Sequence, residues 1–206
     1  MSENGHERDA EHHEGSHDHD DHDHDHDHHH HDISELGFAV LTVSSSRGID
    51  EDTAGDAIVE LLEADGHTVT VRELVNDDYD SVQDTVDRFA DRGDVECVVT
   101  TGGTGVTPDD VTVEATRSLF DKHLPGFGEL FRSLSREEIG TRVVGTRATA
   151  GIANGTPVFC LPGSESAVRL GTESIILEEA PHLAGLARRH DDETDENGAD
   201  GNGDQS

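Results

Sequence analysis

Apolar runs and amphipathic stretches alternate along the middle of the chain, and their order predicts an α/β fold. Residues 37–43 (GFAVLTV) form an unbroken apolar run of the kind a fully buried strand shows. A polar loop follows, and then Thr53–Ala64 places Ile58, Leu61 and Leu62 on one helical face, with Gly66 as the stop. Residues 67–74 (HTVTVREL) alternate as a strand does, and 80–91 read as a helix through Val82, Val86 and Phe89. Residues 95–100 (VECVVT) are a second buried strand and run straight into the loop TGGTGVTPDD. Strand, helix, strand, helix, strand in this order implies right-handed crossovers and a parallel sheet.

Beyond that loop, 111–121 and 126–134 read as helices, the second following the break at Pro125-Gly126. Ser135 and Glu138 fit a capping box that opens a further short turn. The runs 143–152 (VVGTRATAGI) and 156–163 (TPVFCLPG) flank Asn154-Gly155, a hairpin signal that adds an antiparallel edge. Ser164 caps a long helix over 165–178, and residues 181–189 close the domain. The predicted fold is an α/β domain: a mostly parallel sheet with a small antiparallel edge hairpin.

Charge divides the chain into a folded part and two tails. Residues 1–32 hold twelve histidines and twelve acidic residues, in runs such as DHDHDHDHHHH that bury no apolar surface and predict disorder. Residues 191–206 add seven acidic residues and no basic ones, which leaves 33–190 as the predicted domain. Neutral imidazoles at this density make the first tail a weak, multivalent binder of divalent transition metals. The net charge is −33, and the only lysine is Lys122. An acidic, lysine-poor surface suits concentrated salt, where charges are screened, and offers no basic stripe to a nucleic acid. Cys97 and Cys160 lie in strand-like runs and predict buried, reduced thiols. With no apolar stretch of membrane-span length and no signal-peptide core, the expectation is a soluble, cytoplasmic protein without a membrane partner.

The candidate chemistry lies at Thr101, Gly102, Gly103, Thr104 and Gly105, directly after a buried strand. Ligands of open α/β sheets bind at the carboxyl ends of strands, and glycines there let backbone N–H groups face an anion. Asp109 and Asp110 follow at once. Carboxylates beside a phosphate loop repel a bare phosphate, but they suit one bridged by Mg²⁺. An alternative role for these acids is to favour the next helix N-terminus through its dipole.

Residues 37–183 resemble the MoaB/Mog family of molybdopterin-binding proteins, which includes a domain of gephyrin. The runs TTGGTGVTPDDVTVEAT, LPGFGELFRSLSREEIG, TRATAGIANG and FCLPGSESAV carry the resemblance. It implies a three-layer α/β fold with helices on both faces of the sheet, assembly into trimers or hexamers, and transfer of AMP from Mg·ATP to the terminal phosphate of molybdopterin, with pyrophosphate released. A downstream metal-insertion protein would use the product in molybdenum or tungsten cofactor synthesis. The family's two important acids fall on Asp77 and Asp110, implied to be catalytic and to hold Mg²⁺. Ser44, Ser45 and Arg47 match a Ser-x-x-Arg loop, and Asp52-Thr53-Ala54-Gly55 its Asp-Thr-Ser-Gly continuation. Thr146, Arg147 and Ala148 match a Ser-Arg-Ala motif, and Pro162, Gly163 and Ser164 the last strand-to-helix turn. Of these and the glycine turn, Ser44, Arg47, Thr101 to Gly105, Thr146, Arg147 and Pro162 to Ser164 are implied to bind molybdopterin and ATP. Asp109 stands where many relatives carry arginine, which keeps open a second function: a non-catalytic molybdopterin-binding scaffold with the histidine tail as an accessory metal binder.

Overall fold

The computed structural model describes residues 34–46 and 48–196, with side chains to Arg188; the expectations for both tails otherwise lie outside the described residues. The strands are β1 (Gly37–Val43), β2 (Thr68–Val75), β3 (Cys97–Thr101), β4 (Lys122–His123), β5 (Thr149–Ala153) and β6 (Thr156–Leu161). The helices are α1 (Thr53–Ala64), α2 (Tyr79–Ala90), α3 (Thr112–Arg117), α4 (Pro125–Ile139), α5 (Glu165–Gly171) and α6 (Leu177–Glu196). One sheet runs β2-β1-β3-β6-β5-β4. The pairs β1–β2, β1–β3 and β3–β6 are parallel, and β5 pairs antiparallel with both β6 and β4. This is the predicted class, a mostly parallel sheet with an antiparallel edge and helices around it.

Both faces of the sheet are buried, which explains why β1 and β6 read as continuous apolar runs. Phe38 and Val40 of β1 face one way, toward Ile58, Leu62, Phe131 and Ile176 of the helices on that side. Ala39, Leu41 and Val43 face the other, toward Val82, Val86 and Phe89 of α2. Successive strand residues point to opposite faces, so one strand serves two cores. The α1 stop is as predicted, with Gly66 at φ +92° just past the helix. Asn154 and Gly155, at φ +48° and +75°, form the hairpin turn.

The second half departs from expectation in four places. The helix predicted over 111–121 covers only Thr112–Arg117, and the chain then reaches the sheet as the short edge strand β4. The separate turn expected at Ser135 does not exist: α4 is continuous from Pro125 to Ile139, and Ser135 is buried within it. The strand expected from residue 143 starts at Thr149, because Gly140–Gly145 form a 3-10 turn. The closing helices are joined by a π-helical turn, Thr172–Ile176, and α6 runs past the predicted boundary at 190. Among the described residues no helix is long and apolar enough to cross a membrane.

Candidate functional site

The chain moves from β1 to β2 on one side of the sheet and to β3 on the other, so the loops after β1 and β3 diverge and leave a crevice at the strand ends. A cleft of about 490 Å³ opens there. The ends of β1, β3 and β6 form its floor, with Thr42 to Ser44, Thr101 to Gly105 and Pro162 to Ser164. Asp77, from the loop after β2, and Asp110, from the loop before α3, stand on its walls.

The glycine turn is held by close backbone packing. Gly102 has φ +97°, and a Cβ there would lie 2.2 Å from the Val43 carbonyl oxygen. Gly103 has φ +64°, and its Cβ would lie 2.2 Å from Thr112 Oγ1. Only glycine fits both the backbone angle and the space. The Gly102 amide donates to the Leu161 carbonyl at 3.1 Å, and the Gly103 carbonyl accepts from the Thr112 amide at 3.0 Å. The amides of Gly103 and Thr104 have no hydrogen-bond partner among the described residues. Two backbone donors thus remain for an anion in the cleft.

Asp110 braces the far side of this turn. Its Oδ1 accepts from the Gly105 amide at 2.9 Å, and its Oδ2 from the Thr107 amide at 2.7 Å and the Thr107 hydroxyl at 2.6 Å. Partial burial pushes its pKa up, but the Thr107 and Gly105 donors and the charge of Arg147 outweigh that and hold it below the usual carboxylate range. Asp77 and Ser45 exchange hydrogen bonds: the Ser45 amide donates to Asp77 Oδ2 at 2.6 Å, and the Asp77 amide to Ser45 Oγ at 3.1 Å. Asp77 Oδ1 has no hydrogen-bond partner among the described residues.

The cleft therefore gathers Asp77, Asp110, Ser44, Thr101 to Gly105, Thr146 and Pro162 to Ser164, all singled out from the sequence. Arg47 lies outside the described residues. Arg147 does not line the cleft; its guanidinium sits beneath the turn, donating to the Gly105 carbonyl at 2.6 Å, the Asp110 carbonyl at 2.9 Å and the Glu114 carboxylate. Asp109 is exposed and absent from the lining. Ser164 also caps α5, accepting from the Ala167 amide at 3.3 Å.

Sequence reading placed Asp52 in a matched loop motif but missed its role as the lock behind the cleft. Asp52 is fully buried as the N-cap of α1, accepting from the Gly55 amide at 2.9 Å, Thr42 Oγ1 at 2.6 Å and Arg72 Nη2 at 2.9 Å. An aspartate directly ahead of a helical pattern was the available signal. Through it the start of α1, with Ala54 on the cleft wall, is tied to β1 and β2.

Residues 39–182 match the family model described as "Probable molybdopterin binding domain". The molybdenum cofactor biosynthesis protein B of Halalkalibacterium halodurans is 44% identical over 145 residues, 70% of this chain and 85% of that protein. Its Escherichia coli K12 counterpart is 42% identical over 150 residues, 73% of this chain and 86% of that one. Among solved structures, the tungsten cofactor synthesizing protein MoaB from Pyrococcus furiosus superimposes with a TM-score of 0.69 at 42% identity, covering 76% of this chain and 99% of that one. With its sheet order, its cleft and these likenesses together, the chain belongs to the MoaB/Mog family of molybdopterin-binding domains.

Proposed function

We propose that this protein serves molybdenum or tungsten cofactor biosynthesis by transferring AMP from ATP to the terminal phosphate of molybdopterin. The reading is carried by one observation: the lysine-free glycine turn and two separated carboxylates, Asp77 and Asp110, line a single cleft. A phosphate oxygen of molybdopterin attacks the α-phosphorus of ATP. A new P–O bond forms as the bond to the bridging oxygen of the β-phosphate breaks, and pyrophosphate leaves with that electron pair. Such a transfer needs positioning and charge stabilisation rather than a protein nucleophile. The amides of Gly103 and Thr104 supply donors to a phosphate oxygen, and Thr101 and Thr104 flank them.

The donor set suits magnesium, which takes one or two carboxylates together with phosphate oxygens and waters. Asp77 offers an unengaged Oδ1, and Asp110 Oδ1 accepts only one hydrogen bond among the described residues. Asp77 and Asp110 would hold the ion, which would neutralise charge on the phosphates.

Asp109, which stands where many relatives carry arginine, is exposed and does not line the cleft. The test is pyrophosphate release from molybdopterin and Mg·ATP by the full chain in molar KCl. Asp77→Asn and Asp110→Asn should each lower kcat/KM by roughly 100-fold or more, the scale of losing one well-placed electrostatic group. No turnover by folded wild type, or full turnover by Asp77→Asn, would overturn the reading.

A further inference from the structure

Next to the cleft, a second cavity of about 740 Å³ opens between α3, α4 and the segment leading into β5. Glu114 and Arg117 of α3, Glu129 and Arg132 of α4, and Arg147 line it. Three arginines against two glutamates give this lining a positive balance, whereas the cleft lining holds Asp77 and Asp110 and no cationic side chain. On a chain with 47 acidic and 14 basic residues, that grouping runs against the composition.

The two helix arginines are the telling residues. Carboxylates are in large excess, and Arg72, Arg88, Arg92, Arg147, Arg169 and Arg188 each pair with one. The side chains of Arg117 and Arg132 make no hydrogen bond or salt bridge among the described residues. Each has a glutamate three residues earlier on its own helix, the spacing at which helix neighbours meet, yet neither pair closes. Glu114 is held by Arg147 instead. Arg132 lies back over Gly128, where a Cβ would stand 2.9 Å from Nη1, so the missing side chain makes room for the guanidinium on the cavity wall. It is half-buried there, and a guanidinium carries five N–H donors that only an acceptor can satisfy. Arg136 and Arg142 are likewise unpaired among the described residues, but they are exposed and line neither space.

We propose that this cavity is a second anion site, which binds an inorganic phosphate anion through the guanidiniums of Arg117 and Arg132. A planar guanidinium fork matches the oxygens of a phosphate two at a time. Forks from two helices, in a cavity larger than the cleft, suit a diphosphate better than a single tetrahedron, because each fork can take one phosphoryl group. Carboxylates in the cleft require a metal to bridge them to a phosphate, whereas the arginine site supplies its own positive charge and needs no magnesium. The inference rests on the lining charges and not on the reaction proposed above. Thr146 lines both spaces, so the site adjoins the cleft, and the pyrophosphate that the proposed reaction releases is an anion of this class.

The test is calorimetric binding of pyrophosphate, orthophosphate and sulfate to the full chain in molar KCl with EDTA, which withholds the magnesium that the cleft would need. The wild type should bind pyrophosphate at one site per chain, more tightly than orthophosphate or sulfate. Arg117→Gln, at an exposed position, and Arg132→Gln should each weaken pyrophosphate by roughly tenfold or more, the scale of losing a charged hydrogen bond, with an unchanged unfolding midpoint as the folding control. Undiminished affinity in both variants, or a wild type that binds no pyrophosphate, overturns the site and leaves the cleft reading intact. Tighter binding by Asp77→Asn, with no loss in the arginine variants, overturns it by placing the anion in the cleft. Sedimentation supplies the remaining check: a wild type that binds no anion, while Arg117→Gln changes its assembly state, assigns the arginines to carboxylates of a second copy and overturns the site. Pyrophosphate bound as expected, but without AMP transfer, removes only the reaction.

Discussion

Replacing Asp52 with alanine removes a fully buried carboxylate on which β1, α1 and β2 converge. Each of its three hydrogen bonds goes to a charged acceptor, the class worth about 1.5–3 kcal/mol apiece. Deleting one member of a buried ion pair costs about 3–5 kcal/mol, because its partner is left without compensation. Arg72 is 22% exposed and keeps Asp56 at 2.6 Å, which places the expected loss at the lower end, about 3 kcal/mol. For a domain of this size that is a fall of roughly 6–12 °C in Tm. Acid supplies an independent check. Burial raises the Asp52 pKa, but the bonds from Thr42, Gly55 and Arg72 outweigh burial and depress it. A depressed carboxylate contributes stability above its unfolded pKa of about 4 and loses it as pH falls through the folded value. The wild type should therefore lose stability faster than Asp52→Ala between about pH 5 and 2. Urea unfolding in molar KCl, at neutral pH and along an acid series, measures both effects. A neutral-pH loss under about 1 kcal/mol, or parallel acid limbs, would refute the claim that Asp52 locks the base of the cleft.

Gly102→Ala should cost at least about 2 kcal/mol and abolish phosphate binding, since its Cβ would meet a backbone carbonyl that has nowhere to go; near-wild-type urea midpoints would contradict this. Arg147→Lys replaces a fork spanning two carbonyls with a point charge, so we expect a loss of about 1–2 kcal/mol and faster proteolysis within residues 105–110. Unchanged cleavage there would show that Arg147 does not hold the turn. Burial raises both the Cys97 and the Cys160 thiol, so an aromatic disulfide reagent at mildly alkaline pH should label neither until the protein unfolds. Because the chain carries −33, its field repels ATP and salt screens that repulsion. ATP affinity should therefore rise with KCl, and a steep fall, as at basic sites, would show that free cations dominate binding.

The first half of the fold was legible because its signals are redundant. β1 and β3 are buried on both faces and read as apolar runs, while α1 and α2 carry one-sided stripes and clear ends. The second half hides what tertiary contact decides. Lys122 and His123 carry no strand signal; the two residues pair with β5 through backbone bonds. Ser135 and Glu138 fit a local capping rule, yet α4 continues because Phe127 and Phe131 bury its face. The candidate cleft was legible where glycines stand next to a strand end, as at Gly102 and Gly103, with Asp110 later in the same loop. Arg147 was not, because an arginine near phosphate chemistry reads alike whether it grips the ligand or props the loop. Only the placement of Glu114 and the Gly105 carbonyl distinguishes the two.

The charge of the chain bears on why a glycine turn takes the place of a lysine. The only lysine lies in β4, outside the cleft lining, and the nearby guanidinium of Arg147 is matched by Glu114. A flexible ammonium on so acidic a surface would have many carboxylates within reach and would spend much of its time paired with them. Backbone amides avoid that competition. Their partial charges are fixed in direction by the fold and cannot swing toward a neighbouring acid, and those of Gly103 and Thr104 have no partner among the described residues, in a cleft where Thr104 is 3% exposed. The requirement then passes from charge to geometry. The turn has to keep its shape against repulsion from the anion it faces and from the acids around it. That burden falls on the Asp110 bonds to Gly105 and Thr107, on Arg147 below them, and on the close approach of Gly102 to β1.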